Sequence, residues 1–186
     1  GINIDHANAN ATISGNTISV TDPGRACIQL SSLTSATVTG NNLELTGGNA
    51  FTLHNKLLGM SSTPTVSVTG NTITGKGYLI YDDAKASNKE FTADKLALTM
   101  SGNTIASTVD TTQGVKDGKL YGISDSVKTV AASGVTVKQS TYYYYPSTDT
   151  TTDTAKASPK TFDAGVGVYA VTAVLSLSGM AWTAKK

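Results

Sequence analysis

The chain has 186 residues, a formal net charge of +1 and 15% charged residues, against roughly 25% in an average globular domain. So neutral a balance excludes electrostatic recognition of nucleic acid or of a strongly acidic partner. One cysteine, Cys27, excludes an intrachain disulfide and a Cys-based zinc site, and neither a metal nor a cofactor is expected.

Four copies of one phrase organise the rest: Ile13-Ser14-Gly15-Asn16-Thr17-Ile18, Val38-Thr39-Gly40-Asn41-Asn42-Leu43, Val68-Thr69-Gly70-Asn71-Thr72-Ile73 and Met100-Ser101-Gly102-Asn103-Thr104-Ile105. They recur at steps of 25, 30 and 32 residues, the spacing of a stacked repeat whose single unit cannot bury its own apolar face. Alternating β-branched residues before each glycine read as a short strand. Gly-Asn then breaks it, because both residues tolerate turn conformations. The apolar residue two positions after the asparagine starts a second inward-facing strand.

In chain order, Ile2-Asn3-Ile4 opens a first partial coil that runs to Val20, followed by a turn at Thr21-Asp22-Pro23-Gly24. Ala26–Leu45 is the next coil, turned by Thr46-Gly47-Gly48. Ala50–Thr74 carries an insertion from His54 to Pro64, and Gly75–Ala106 a longer one from Tyr81 to Lys95. Within the latter, Asp82-Asp83-Ala84-Lys85-Ala86 is open between a short helix and a polar loop. Thr108–Gly118 is a loop on the opposite edge, and Lys119–Tyr145 the last coil, in which Val135-Thr136-Val137 fits the slot before Gly-Asn. A second repeated element supplies inward pairs Ile28/Leu30, Phe51/Leu53, Tyr78/Ile80 and Tyr121/Ile123. Cys27 lies in such an element and reads as a packed or neutral position, not a nucleophile.

These readings predict an all-β fold, a right-handed parallel β-helix of about five coils over residues 1–146, each with three short strands. Asn16, Asn41, Asn71 and Asn103 would stack as a ladder, each amide bonding the next. The competing fold is a β-sandwich with several Gly-Asn hairpins, which needs antiparallel neighbours at each Gly-Asn.

Aligned coils bring two columns to one edge: Asp5, Ser31, His54, Tyr81, Ser124 and His6, Ser32, Asn55, Asp82, Asp125. The insertions beside them lengthen along the chain, as on the binding face of many solenoids. Asp5, His6, His54, Asn55, Tyr81, Asp82 and Asp125 are therefore the candidate binding edge, for a carbohydrate or a host surface protein. The same residues also suit turns. No catalytic residue is assigned. Tyr142–Tyr145 is open between a sugar-stacking strip and a cap on the solenoid end.

The coil pattern resembles that of the pectate lyases and polygalacturonases. That resemblance implies the β-helix fold and, as an alternative function, an extracellular polysaccharide lyase or hydrolase. The calcium-binding carboxylates of the lyases and the clustered aspartates of the hydrolases have no counterpart on the strands before Gly-Asn, where Ser, Thr and Val dominate.

Ser147–Ser158 is a Thr/Ser-rich linker, residues 147–158, without apolar periodicity. Residues 159–186 then read Pro159-Lys160-Thr161, an uncharged stretch from Ala164 to Trp182, and Lys185-Lys186. This order resembles the C-terminal sorting signal of Gram-positive cell-wall proteins. As a helix the stretch would measure about 28 Å, close to one bilayer crossing, so the tail would be membrane-inserted before processing. The resemblance implies sortase-like joining of Thr161 to peptidoglycan, with Pro159 as the kink. Ser158 stands where the family has Leu and Phe162 where it has Gly. The other reading of the tail is a buried helix or strand pair. The expected protein is thus a non-catalytic surface module, an adhesin or glycan- or protein-binding display protein at the cell wall.

Overall fold

The computed structural model of the chain describes residues 1–138. In order they form β1 (Ile2–Asp5), β2 (Asn10–Ser14), β3 (Thr17–Val20), β4 (Ala26–Ser32), β5 (Ser35–Thr39), β6 (Asn42–Leu53), a 3-10 turn (Asn55–Gly59), β7 (Thr65–Thr69) and β8 (Thr72–Asp82). Then come α1 (Asp83–Ala86), β9 (Ala97–Ser101), β10 (Asn103–Ala106), β11 (Val109–Asp110), β12 (Gln113–Lys116), β13 (Lys119–Gly122), α2 (Asp125–Ser133) and β14 (Val135–Lys138). The expected linker, sorting-like tail and Tyr142–Tyr145 lie outside the described residues.

Two parallel sheets carry the fold. One has the order β2-β5-β7-β9, and its strands pair residue for residue, so that Ile13, Val38, Val68 and Met100 form one column. The other has the order β1-β4-β6-β8-β10-β14, with β3 also on β6 and β11 also on β8. Ile18, Leu43, Ile73 and Ile105 pair along it as a second column. Ile28, Phe51 and Ile80 make a third. These side chains belong to a single apolar core, and each fully buried Ile, Leu or Phe contributes about 1.5–3 kcal/mol. The strands flanking Gly-Asn all pair in parallel with their counterparts from the next copy, an arrangement that Gly-Asn hairpins of a sandwich would not produce.

The glycine of each phrase turns the chain. Gly15, Gly40, Gly70 and Gly102 have φ between 61° and 65°, and an added Cβ would meet nothing within 4 Å. The requirement is therefore conformational, not steric: an L-residue pays for the left-handed region.

Several expectations need correction. The strand after Gly-Asn and the downstream element do not stay separate; they fuse into the 12-residue β6 and the 11-residue β8. Thr46-Gly47-Gly48 is a register shift inside the β6–β8 ladder instead of a turn between strands. Phe51 pairs with Ile80 and Leu53 with Asp82, so the inward pair of that copy is Ile80/Asp82, two residues beyond Tyr78/Ile80. Tyr121 belongs to an antiparallel hairpin, β12–β13, and joins no parallel ladder. The stretch Thr108–Gly118 is not a plain loop, since it supplies β11 and β12.

Val135–Val137 takes the slot after Gly-Asn, on β10, with Val135 beside Asn103. The slot before it is filled by α2, which packs on β9. Val127 and Ala131 of α2 are buried, and Gly134 follows because a Cβ there would overlap the Met100 carbonyl. Asp82-Asp83-Ala84-Lys85-Ala86 resolves as a helix: the Asp82 carboxylate caps α1 by accepting the Lys85 N–H at 3.0 Å.

Candidate functional site

Four asparagines form a continuous file through the fold. The Nδ2 of Asn16 donates to Oδ1 of Asn41 at 3.0 Å, Asn41 to Asn71 at 2.9 Å and Asn71 to Asn103 at 2.9 Å. Each accepting oxygen also takes the backbone N–H of the preceding asparagine, at 3.0 Å. The second amide hydrogen satisfies the carbonyl of the preceding copy's strand: Asn41 to Ile13, Asn71 to Val38, Asn103 to Val68. Asn41, Asn71 and Asn103 are buried, and Asn16 is half-buried. The file is scaffold, and none of its buried side-chain polar atoms lacks a partner.

The candidate edge lies where the insertions leave the second sheet. Lys56, on the 3-10 turn, bonds Asp5 at 2.8 Å. That bond holds the Asp5 carboxyl below its usual range, with a lesser contribution from Ser32. Asp83 gathers three partners: the Asn55 N–H at 3.1 Å, the Tyr81 hydroxyl at 3.2 Å and Nδ1 of His54 at 3.5 Å. Asn55 also reaches Ser87 through its side chain. The insertions of two successive copies are thus tied to each other and to β1.

The members of the two expected columns fare differently. His54 stands beside Asp83, while Tyr81 pairs with Thr52, because of the two-residue offset in β8. Asp83 is therefore the edge carboxylate that the alignment missed. Asp82 is not at the edge. It is fully buried and accepts the Ser124 N–H at 2.9 Å and hydroxyl at 2.6 Å. Ser124 in turn accepts the Phe91 N–H at 3.2 Å, so Asp82 locks three chain segments together. Asp125 is exposed on the first turn of α2, near Lys85. His6 is exposed and accepts the Asn8 N–H at 3.4 Å.

His54 Nδ1 accepts the Lys56 N–H at 3.2 Å, so that nitrogen carries the lone pair and its tautomer places the proton on Nε2. In this arrangement His54 and Asp83 do not share a proton. Tyr81 is 5% exposed, and burial, followed by the Asp83 charge, pushes its phenol well above the ordinary range. Its ring meets Tyr121 edge-on at 5.7 Å.

A trough of about 630 Å3 opens on this side, across the outer face of β1, β4, β6 and β8. Asn3, Gln29, Thr52 and Tyr81 line it in register, with the Thr21–Arg25 turn on one side and His54 with Asp83 on the other. A second depression of about 750 Å3, over Thr46, Lys76, Tyr78 and Asp110, contains none of the expected site residues. Among the described residues no three His, Cys, Asp or Glu side chains are grouped to share a metal ion, and no helix is long and apolar enough to cross a membrane.

No protein-family model, no curated protein and no solved structure matches this chain.

Proposed function

We propose that the chain is a right-handed parallel β-helix that acts as a non-catalytic display module at the cell surface, an adhesin or glycan- or protein-binding protein held to the cell wall. The observation that carries the binding part is the joining of the insertions at one edge, through Lys56–Asp5 and Asn55–Asp83. A solenoid whose internal file leaves no buried side-chain polar atom unpaired is a stiff scaffold, and loops tied together on one side of it make a preformed surface. The wall attachment rests on the resemblance of Pro159-Lys160-Thr161 and the following apolar stretch to a sorting signal, with peptidoglycan as the covalent partner of Thr161.

Two measurements test this reading. Mass spectrometry of muramidase-released wall fragments from the producing cell should find Thr161 in amide linkage to a peptidoglycan cross-bridge; a free, uncleaved tail overturns the anchor. Glycan and host-protein arrays probed with the chain should give a ligand whose binding weakens when Asn55 or Asp83 is replaced. Silence on both arrays overturns the display role.

The competing reading is an extracellular polysaccharide lyase or hydrolase, and the nearness of His54 to Asp83 favours it. The engagement of Nδ1 by Lys56 N–H weighs against it. Turnover of pectin or another uronic polymer that is lost in Asp83→Asn would decide for the enzyme.

A further inference from the structure

We infer that the trough floored by Asn3, Gln29 and Thr52 is a binding site for a neutral, extended oligosaccharide lying across the strands. This rests on the reading of the chain as a binding module and names the ligand class and the residues.

The floor follows from the register. Ile28 and Leu30, like Phe51 and Leu53, face the core, so the residues between them, half-buried Gln29 and Thr52 at 7% exposure, lie on the opposite face and line the trough. Asn3 pairs with Gln29, and Gln29 with Thr52. Successive strands are about 4.8 Å apart, so the row is a straight, evenly spaced line of one amide, a second amide and a hydroxyl. That line runs along the stacking direction. It suits a sugar chain whose rings advance in an extended ribbon, each ring presenting hydroxyls at a similar interval.

Internal hydrogen bonds engage some polar groups of the floor and leave others free. Gln29 Nε2 donates to the Ser31 hydroxyl at 2.9 Å, and that hydroxyl donates to Asn3 Oδ1 at 3.2 Å. Ser31 is 1% exposed and bridges the two amides. Left over are Gln29 Oε1, an acceptor, the second Gln29 Nε2 hydrogen and Asn3 Nδ2, donors, and the Thr52 hydroxyl, which does both and bonds no other described residue. Neighbouring sugar hydroxyls need this mixture of donors and acceptors, already oriented before binding. Tyr81, held by Asp83 and backed by Tyr121, ends the row with an aromatic wall.

Charge selects the class of sugar. Arg25 is paired with Asp22, and Asp83 is already bonded to Asn55 and Tyr81, with His54 Nδ1 3.5 Å away. The floor itself carries no charge, and Lys116 lines the trough outside the row. A polyanion would need cations in step with its repeats, which the row lacks. A peptide strand would need an open sheet edge, and the floor is a sheet face. The volume of about 630 Å3 lies within the range of about 300–1,000 Å3 usual for small-ligand sites.

Calorimetric titration of the full chain with cellohexaose, maltohexaose and oligogalacturonate tests this. Cellohexaose, neutral and extended, should bind, and the coiled maltohexaose and the anionic oligogalacturonate should bind at least about tenfold more weakly. Gln29→Leu should weaken cellohexaose binding about tenfold, the loss of one charge-free hydrogen bond with its partner left unmet. Thr52→Val, equal in shape, should weaken it by a smaller factor; far-UV circular dichroism and melting confirm that both variants fold. Tighter binding of oligogalacturonate, or cellohexaose binding untouched by both substitutions, overturns the inference while leaving the display role standing. No binding of any sugar here, with a host protein captured on arrays, does the same. Silence towards every sugar and every protein overturns both.

Discussion

The side-chain amide of Asn49 exchanges two hydrogen bonds with the backbone of Val115, 66 positions further along the chain: Nδ2 donates to the Val115 carbonyl at 2.8 Å, and Oδ1 accepts the Val115 N–H at 2.9 Å. Asn49 thereby imitates a neighbouring strand for the β12–β13 hairpin, and a further bond from Nδ2 to the Arg25 carbonyl joins the turn beside the trough. Close packing completes the seat: Gly114 lies against Ile80 and Tyr81 so tightly that a Cβ there would overlap their backbone. Asn49→Ala leaves two buried backbone groups without partners, each costing about 1–3 kcal/mol. Asn49→Asp should be worse, because a carboxylate oxygen would face the Val115 carbonyl. Hydrogen exchange at Val115 should quicken in both variants, more in the Asp variant. Equal protection in both would mean that packing alone holds the hairpin.

The asparagine file predicts a gradient of stability. Asn71 is buried, donates to Val38 and Asn103 and accepts from the backbone and side chain of Asn41. Asn71→Ala should therefore lose upwards of about 2 kcal/mol in denaturant unfolding. Asn16 is half-buried, and its side chain donates only to Ser14 and Asn41, so Asn16→Ala should cost about 1 kcal/mol or less. Equal losses at the two positions would contradict a file whose strength comes from burial.

The Asp5–Lys56 pair makes a pH prediction of definite sign. The bond to Lys56 lowers the folded pKa of Asp5. Its stabilising contribution is therefore present above the unfolded carboxylate value and is lost as pH falls through the lower, folded one. Both partners are largely exposed, so the effect on stability is small and the titration itself is the better readout. NMR of the Asp5 carboxyl should give a midpoint below the usual range, which rises in Lys56→Met. No rise would remove Lys56 as the cause.

Cys27 should resist thiol reagents until the fold opens. It is fully buried, its sulfur lies 3.6 Å from the Ile18 carbonyl, and burial pushes its pKa up to about 11. The reactive thiolate is therefore scarce and shielded at neutral pH. Labelling with iodoacetamide should be negligible in buffer and should rise along the denaturant unfolding curve. Fast labelling of the folded chain would refute the burial of β4.

What the amino-acid order determined alone is local. Val-Thr-Gly-Asn and its three relatives specify a strand, a left-handed glycine and an asparagine within four residues, and nothing remote is needed to read them. The alternation around them separates inward from outward side chains, which gives an all-β chain with a shared apolar core. What the tertiary structure decided is register. Moving a strand by two positions leaves every side chain on the same face, so Tyr78/Ile80 and Ile80/Asp82 fit the pattern equally well. Only the β6–β8 ladder chose the second, placing Asp83 instead of Asp82 beside His54. The helix α2 was hidden for a related reason. Val127, Val130 and Ala131 have helical spacing after Ser124, but Val and Thr among them read locally as strand. Packing on β9 settled the choice, because a helix there buries Val127 and Ala131 over the end of the first sheet.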